Sequence, residues 1–511
     1  MIKYISNYIT YSFLKKRIKN IELTMDYPID IQNNVLNELL LHAKNTEFGK
    51  KYRFNEIKKY KKFFERVPIC KYSDIKPIIN RIRKGEKNIL WPGKIKWFAR
   101  SSGTTNTKSK YIPITSQSMN SHYESGKDML SMYIHNHPKT KIFLGKAVRL
   151  GGSYTLHKKY NNFYGDLSSI LIKNLPFWAE IICTPKKKIS LMSEWDKKLK
   201  NLIKITVKQD VRILLGVCSW LLIFLDRLLK IYNKKSINDI WPNIEVIFHG
   251  GVSLNPYILQ YNKLFNNHKN INYYNIYSAS EGFFAIQNEN KVEDLLLLLN
   301  HGIFYEFIPI EYINDSNPKI LSINEVKLNK NYAIVISTNA GLWRYIVGDT
   351  VKFTNLSPYK IIISGRTTQY INCFGEELIV ENADKALKKS CIETNSILQE
   401  YTAGPVYINE GKSGSHEWII EFKKHPKNIY NFRDILDREL QNLNSDYEIK
   451  RYKDIVLRPP IIHVARNGLF YDWLKKKNRL GGQNKIPRLS NNRKYINSIL
   501  KIQDKNKITV N

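Results

Sequence analysis

The sequence predicts an α/β protein, with a large N-terminal domain over residues 1–365 and a small α+β domain over residues 366–511. Three observations carry that expectation. The chain has 511 residues, 43% of them hydrophobic, which is enough for a large core and suggests two to four domains by length. Through its middle, short β-branched and aromatic runs alternate with helical stretches, the pattern of α/β layers. Around Gly365-Arg366-Thr367-Thr368 a strand ends in a polar turn and a new pattern begins. The stretch from there to the C-terminus is long enough for a small second domain.

Taken in order, the first element is an amphipathic helix over 29–46. There Ile31, Val35, Leu36, Leu39 and Leu40 recur at helical spacing, with Gly49 as the expected stop. Strands are expected at 141–144, 211–215, 244–248, 271–277, 332–337 and 361–364. The apolar stretch 213–225, closed by Arg212 and Asp226, is too short to span a bilayer. It reads as a buried strand and the start of a helix. Gly375-Glu376-Glu377-Leu378 leads into a helix through Ala383 and Leu387, and the basic tail 488–511 belongs on the surface.

Composition narrows the function classes. With 81 Lys and Arg against 45 Asp and Glu, the net charge is +36. That raises a non-catalytic nucleic-acid-binding protein as one reading. Against it, the lysines are spread along the whole chain. Lys, Asn, Ile, Tyr and Phe are abundant together, as drift in an A/T-rich genome would produce, so no specific nucleic-acid partner is expected. Cys70, Cys183, Cys218, Cys373 and Cys391 are far apart and odd in number, which points to neither a disulfide framework nor a zinc site. His416-Glu417 opens like a zinc-protease helix, but position 420 is Ile, so the second ligand is missing. The N-terminus has no sustained apolar core or cleavage site, and a cytoplasmic protein is expected.

Five segments carry the chemistry. Ser101-Ser102-Gly103-Thr104-Thr105, with Lys108 and Lys110 behind, suits a loop that wraps phosphates, because glycine lets the backbone approach and the hydroxyls donate. A polar strand-to-helix turn would look the same, and the Walker A spacing is absent. The strand before Gly250-Gly251 ends in a flat edge where a planar ring could lie, or in a tight turn. Tyr277-Ser278-Ala279-Ser280-Glu281 puts a ring, two hydroxyls and a carboxylate at a strand end, where open α/β sheets bind ligands. Glu281 suits Mg²⁺ beside phosphates, or a helix N-terminus. Asp349, after Gly348, could accept from two vicinal hydroxyls or simply occupy a turn. Lys485, in Gly481-Gly482-Gln483-Asn484-Lys485-Ile486-Pro487-Arg488, is a mobile point charge or a solvated surface lysine.

Together and in this order, the segments resemble the acyl acid–amido synthetases, the auxin- and jasmonate-conjugating enzymes and their bacterial relatives. These belong to the adenylate-forming superfamily of acyl-CoA synthetases, adenylation domains and luciferase. The resemblance runs from about Thr46 to about Arg493. It implies a large adenylate-forming domain with mixed sheets and flanking helices, and a small mobile C-terminal domain turning about residues 365–370. It implies ATP and Mg²⁺, a small-molecule acyl acid, and an amino acid or coenzyme A as acceptor. Ser101, Ser102, Gly103, Thr104, Thr105 and Lys110 would serve the phosphates. Gly250, Gly251, Tyr277, Ser278 and Ser280 would line the nucleotide, and Asp349 and Arg366 would fix the ribose. Glu281 would hold the metal, and Lys485 would bridge the carboxyl oxygen and the α-phosphate.

Three departures stand out. Asn106-Thr107 replaces a further loop glycine. The ribose segment reads Tyr-Ile-Val-Gly-Asp where an arginine commonly follows the tyrosine; either Arg344, one place before Tyr345, compensates or that contact is lost. Cys218 stands where bacterial relatives often have proline. Residues 143–154 and 215–225 are candidates for the acyl pocket or for ordinary core. No oligomeric state can be read from the sequence.

Overall fold

A computed structural model describes residues 11–101, 110–151, 156–159, 161–251, 253–266, 271–313, 315–367, 370–371, 373–374, 376, 378–407, 413–451, 454, 456–477, 480, 485–503 and 509–510. The chain divides into two compact units. One comprises residues 1–251 and 269–362, and the other residues 252–268 and 363–511.

In the first unit, helix α1 (Pro28–Ala43) has Pro28 at its start, where a missing N–H costs nothing, and Asp30 in its first turn. It buries Val35, Leu36, Leu39, Leu40 and Ala43. A fully buried leucine contributes about 1.5–3 kcal/mol. Gln32, also buried, donates to the Leu299 and Ile303 carbonyls and accepts from the Tyr305 N–H, so its polar atoms are satisfied on the sheet. The helix stops at Ala43, before the expected end. Gly49 lies inside a short following helix, Glu47–Lys51, capped by Thr46, whose hydroxyl accepts from the Gly49 N–H.

The framework is a sheet of twelve strands among the described residues. One part is parallel, with neighbours in the order β1 (Lys146–Leu150), β2 (Val211–Gly216), β3 (Val246–Gly250) and β4 (Asn272–Ala279). From β4 onward the pairing turns antiparallel, first to β5 (Gly282–Ile286) and then to Leu295–Leu297 and Tyr359–Arg366. Beyond these lie β6 (Asn331–Thr338) and β7 (Tyr345–Leu356). Of the parallel strands, β2 and β3 are largely buried apolar runs, as two covered faces require, whereas β4 carries Asn272, Asn275 and Ser278 and is mostly half-buried. Met129, Met132 and Tyr133 of helix α2 (Ser116–Asn136) pack with Ala147, Ile213, Val246 and Phe248. The stretch 213–225 resolves into β2 and helix α3 (Cys218–Tyr232). Cys218 is the first residue of α3, the position at which a proline is best tolerated. Leu221, Phe224 and Leu225 are fully buried core.

The strand expected at 141–144 does not form. Ile142–Leu144 is a turn of 3-10 helix, and the strand starts at Lys146. Gly145 joins the turn to the strand, and a Cβ there would stand 2.5 Å from the Asp210 carbonyl oxygen, which holds the position to glycine. A separate four-stranded sheet contains the hairpin of Trp97–Ser101 and Lys110–Ile114.

The second unit is α+β. The strands Ile397–Val406, Ser415–Lys424, Ile461–Ala465 and Thr509–Val510 form its sheet. Helices Val380–Glu393 and Ile429–Leu443 supply Ala383, Leu387, Phe432 and Leu436 to a core with Tyr401, Trp418 and Ile462. The segment 252–268 joins this core through Leu259. His416 and Glu417 lie on a strand, and fully buried His416 pairs with Glu376 at 2.8 Å. The five cysteines are free, and no described helix is long and apolar enough to cross a membrane.

His249 on β3 and His122 on α2 are buried, and burial depresses each imidazole to about 4. Neither Nδ1 has a hydrogen-bond partner. Unfolding restores the ordinary value of 6.5, so the unfolded chain binds more protons between those limits. Stability is therefore full above pH 6.5 and falls as the pH drops towards 4, by about 3 kcal/mol per histidine at most. The expected result is a urea midpoint that declines over that window and declines less steeply in His249→Gln. An equal slope in the variant would contradict the assignment.

Candidate active site

In the first unit Lys110, at the base of the first segment, Glu281 and Asp349 stand around one residue, Tyr345. Its strand, β7, starts beside Cys70: the Cys70 N–H donates to the Arg344 carbonyl, and the Ile346 N–H donates to the Cys70 carbonyl, both at 3.0 Å. The Tyr345 ring is thereby buried. Lys110 Nζ donates to the Tyr345 hydroxyl at 3.4 Å. Lys110 pairs across the hairpin with Ser101, so Tyr345 faces the base of the serine–threonine loop. Ser102, Gly103, Thr104 and Thr105 lie outside the described residues, as do Asn106, Thr107 and Lys108. Burial raises the Tyr345 hydroxyl well above its ordinary value, and Glu281, Cys70, Tyr72 and Asp349 push it further. The phenol therefore stays protonated beside two carboxylates.

Glu281 sits in a two-residue turn, Ser280-Glu281, between paired Ala279 and Gly282 of β4 and β5. A helix start is excluded as its explanation. The Glu281 side chain is buried, and Ser278 and Ser280 are half-buried beside it. Asp349 lies within β7 and not in a turn. It follows Gly348, whose φ of +94° is open to glycine at little cost. The Tyr277 hydroxyl donates to Asp349 Oδ2 at 2.8 Å, which fixes that carboxylate. Gly250 pairs with Ile276, next to Tyr277. A Cβ on Gly250 would stand 2.5 Å from the Ile276 carbonyl oxygen, so the bare edge is imposed by the neighbouring strand. Gly251, at φ +85°, is exposed.

Arg344 does not replace the missing ribose arginine. It is 2% exposed and points away into the core. Its Nε and Nη2 donate to the two oxygens of Glu306, each at 2.8 Å, and Nη1 donates to the Val67 carbonyl at 2.6 Å. Tyr60 donates a further hydrogen bond to Glu306. Sequence reasoning also passes over Tyr72 and Cys70. Their segment has no motif, and only a pairing across more than two hundred positions reveals them.

The remaining two residues belong to the second unit. Arg366 ends the strand Tyr359–Arg366 and is half-buried. Lys485 is exposed and is followed by buried Ile486. Gly481–Asn484 fall outside the described residues.

Residues 17–270, 296–366 and 381–494 match the GH3 family N-terminal, central and C-terminal domains in turn. The indole-3-acetic acid-amido synthetase GH3.4 of Arabidopsis thaliana is 24% identical over 93% of this chain and 91% of its own length. Among solved structures, the GH3.15 acyl acid amido synthetase superposes with a TM-score of 0.78 at 17% identity, covering 97% of this chain and 96% of that one. A 2-hydroxyisobutyryl-CoA ligase in its postadenylation state gives 0.60 at 12% identity over 92% and 90%. At such identities the two superpositions speak for the fold.

The Arg344–Glu306 pair yields a stability prediction. Arg344→Ala leaves a fully buried carboxylate unpaired and is expected to cost about 3–5 kcal/mol. The measurement is the shift in urea midpoint. A change below about 1 kcal/mol would show that Glu306 is satisfied without the guanidinium.

Proposed function

Because the chain belongs to the GH3 family, we propose that it is an acyl acid–amido synthetase. It activates a carboxylic acid with ATP as an acyl-adenylate and passes the acyl group to the amine of an amino acid. The observation that carries this reading is the convergence on Tyr345 of Lys110, Glu281 and Asp349, drawn from segments far apart in the chain. The amido-synthetase names of the relatives supply the chemistry that such a convergence would serve.

A carboxylate is a poor electrophile, so it is activated before an amine attacks. In the first step a carboxylate oxygen attacks the α-phosphate and pyrophosphate leaves. Ser101 to Thr105 and Lys110 hold the β,γ-phosphates. Gly250, Gly251 and Tyr277 bound the adenine, with Ser278 and Ser280 beside it. Asp349, oriented by the Tyr277 hydroxyl, and Arg366 take the ribose hydroxyls. Lys485 supplies a positive charge where the carboxyl oxygen meets the α-phosphate. In the second step the amine attacks the acyl carbon and AMP leaves, after the small domain turns about residues 365–370.

The donor set fits Mg²⁺. The ion takes one or two carboxylates with phosphate oxygens and water, and Glu281 is a single buried carboxylate at the turn. Bound there, Mg²⁺ would neutralise phosphate charge as it moves to the leaving group. The field of a chain at +36 draws in anionic ATP.

The deciding experiment is exchange of labelled pyrophosphate into ATP over a library of acids, with product analysis in the presence of an amino acid panel and of coenzyme A. Exchange that depends on an acid, with amide as product, is expected. Thioester in place of amide would move the chain to the ligase branch, and no exchange with any acid would sink the reading. Lys485→Ala is expected to slow exchange by roughly 10²–10³. Glu281→Ala is expected to lose its response to Mg²⁺, and a metal titration matching that of the unmodified enzyme would place the ligand elsewhere.

A further inference from the structure

Within the second unit the chain after Lys485 is anchored at Arg488, and the expectation that 488–511 lies on the surface fails here: Arg488, Leu489, Ile496 and Ile499 are buried. Arg488 is 7% exposed, so its charge has left water. The backbone around it forms an extra edge on the strand Ile397–Val406. The Ala403 N–H donates to the Arg488 carbonyl at 2.8 Å, and the Ser490 N–H donates to the Ala403 carbonyl at 3.1 Å. Thr402 Oγ1 donates to the Pro487 carbonyl at 2.6 Å.

The guanidinium is held on every side. It lies 4.6 Å from the centroid of the Tyr401 ring, and Nη1 donates to the Tyr401 carbonyl at 3.2 Å. Nη1 also pairs with the Glu400 carboxylate, and Nη2 donates to the Tyr257 hydroxyl at 2.5 Å. That hydroxyl in turn donates to Glu400 at 3.3 Å. Tyr401 is pinned through its own hydroxyl, which donates to Asp384 at 2.6 Å.

Tyr257 gives the arrangement its reach. It belongs to the segment 252–268, which leaves the large sheet directly after Gly250-Gly251 and yet groups with the second unit. Other ties hold that segment in place. Lys388 Nζ donates to Asn255 Oδ1 at 3.2 Å, Gln260 donates to the Leu398 carbonyl, and Ser253 hydrogen-bonds Asp384.

A buried guanidinium this fully engaged, three positions after an exposed lysine, has one clear consequence. A lysine is a point charge on a flexible four-carbon stem, so its placement depends on where its backbone is fixed. Pro487, with its φ restricted, stands between the anchor and Ile486. We propose that Arg488 is a positioning residue for Lys485: clamped by Glu400, Tyr257 and Tyr401, it fixes the point from which the lysine loop springs and ties that point to the segment following Gly250-Gly251. This rests on the reading of Lys485 as the adenylation lysine.

The test is a double-mutant cycle in the full-length enzyme, read by pyrophosphate exchange with an acid that supports it. Arg488→Gln is expected to lower kcat about 10-fold with the ATP KM within about twofold, because a misplacement of about 1 Å costs roughly 10²-fold and a loosened anchor shifts the lysine by less. In the Lys485→Ala background, Arg488→Gln should change nothing further. Equal losses in both backgrounds, or no loss in the parent, overturn the clamp and leave the function standing. Undiminished exchange in Lys485→Ala itself overturns the lysine's role and the clamp with it. If Arg488→Gln fails to fold, Tyr257→Phe removes a single hydroxyl from the same cluster. A loss of about threefold that vanishes in Lys485→Ala supports the clamp, and an additive loss rejects it.

Discussion

The bidentate pair between Arg344 and Glu306 sets the geometry on which the first unit's site depends. Two charges out of water are tolerated only when their hydrogen bonds are complete. Here two main-chain carbonyls, of Phe64 and Val67, and the Tyr60 hydroxyl complete them. The pair also holds Arg344 at φ +45°, a conformation that a residue with a Cβ seldom adopts unaided. From that pinned bend β7 starts with Tyr345 opposite Ile336, and its register against β6 shifts between Ile346 and Thr350. Tyr345 faces the site, and Asp349 comes four residues on, within reach of the Tyr277 hydroxyl. Arg344 is thus a structural anchor one residue upstream of Tyr345.

The second constraint is the change of pairing at β4. Strands on one side of it run parallel and those on the other antiparallel, so the chain must reverse at Ser280-Glu281. A reversal in two residues leaves little freedom in where the intervening side chain lies. Glu281 is consequently presented by main-chain geometry and does not rely on side-chain packing alone. The same strand imposes glycine at 250 through the Ile276 carbonyl. The bare edge and the carboxylate turn are therefore two effects of one strand.

Much of this is legible in the residues alone, for identifiable reasons. The buried strands near 211–215 and 332–337 announce themselves because apolar, β-branched runs have few other destinations, whereas 271–277, interrupted by Asn272 and Asn275 and mostly half-buried, is legible from its tyrosines and isoleucines. The expectation of a strand at 141–144 fails because the short apolar run Ile142-Phe143-Leu144 forms a helical turn ahead of the true strand, and a run of three apolar residues does not tell the two apart. Gly49 misleads because a glycine can sit inside a short helix when a side chain caps it. Individual segments at the site can be recognised by their residue types. Cys70 and Tyr72, which meet Tyr345 of the Tyr-Ile-Val-Gly-Asp segment, cannot, since that meeting is a property of pairing between distant parts of the chain.

The segment 252–268 gives the chain three crossings between its compact units, at 251, 268 and 362. The small unit is therefore not an appendage that can be cut away at a single linker. Tyr257 would lose its partners Glu400 and Arg488 if everything beyond 362 were removed, and the excised fragment would lack the hydroxyl to which Arg488 donates. Chimeras assembled from two relatives would need to carry the short insert along with the distal half. Joining them at the obvious seam alone would pair a borrowed lysine loop with a foreign anchor.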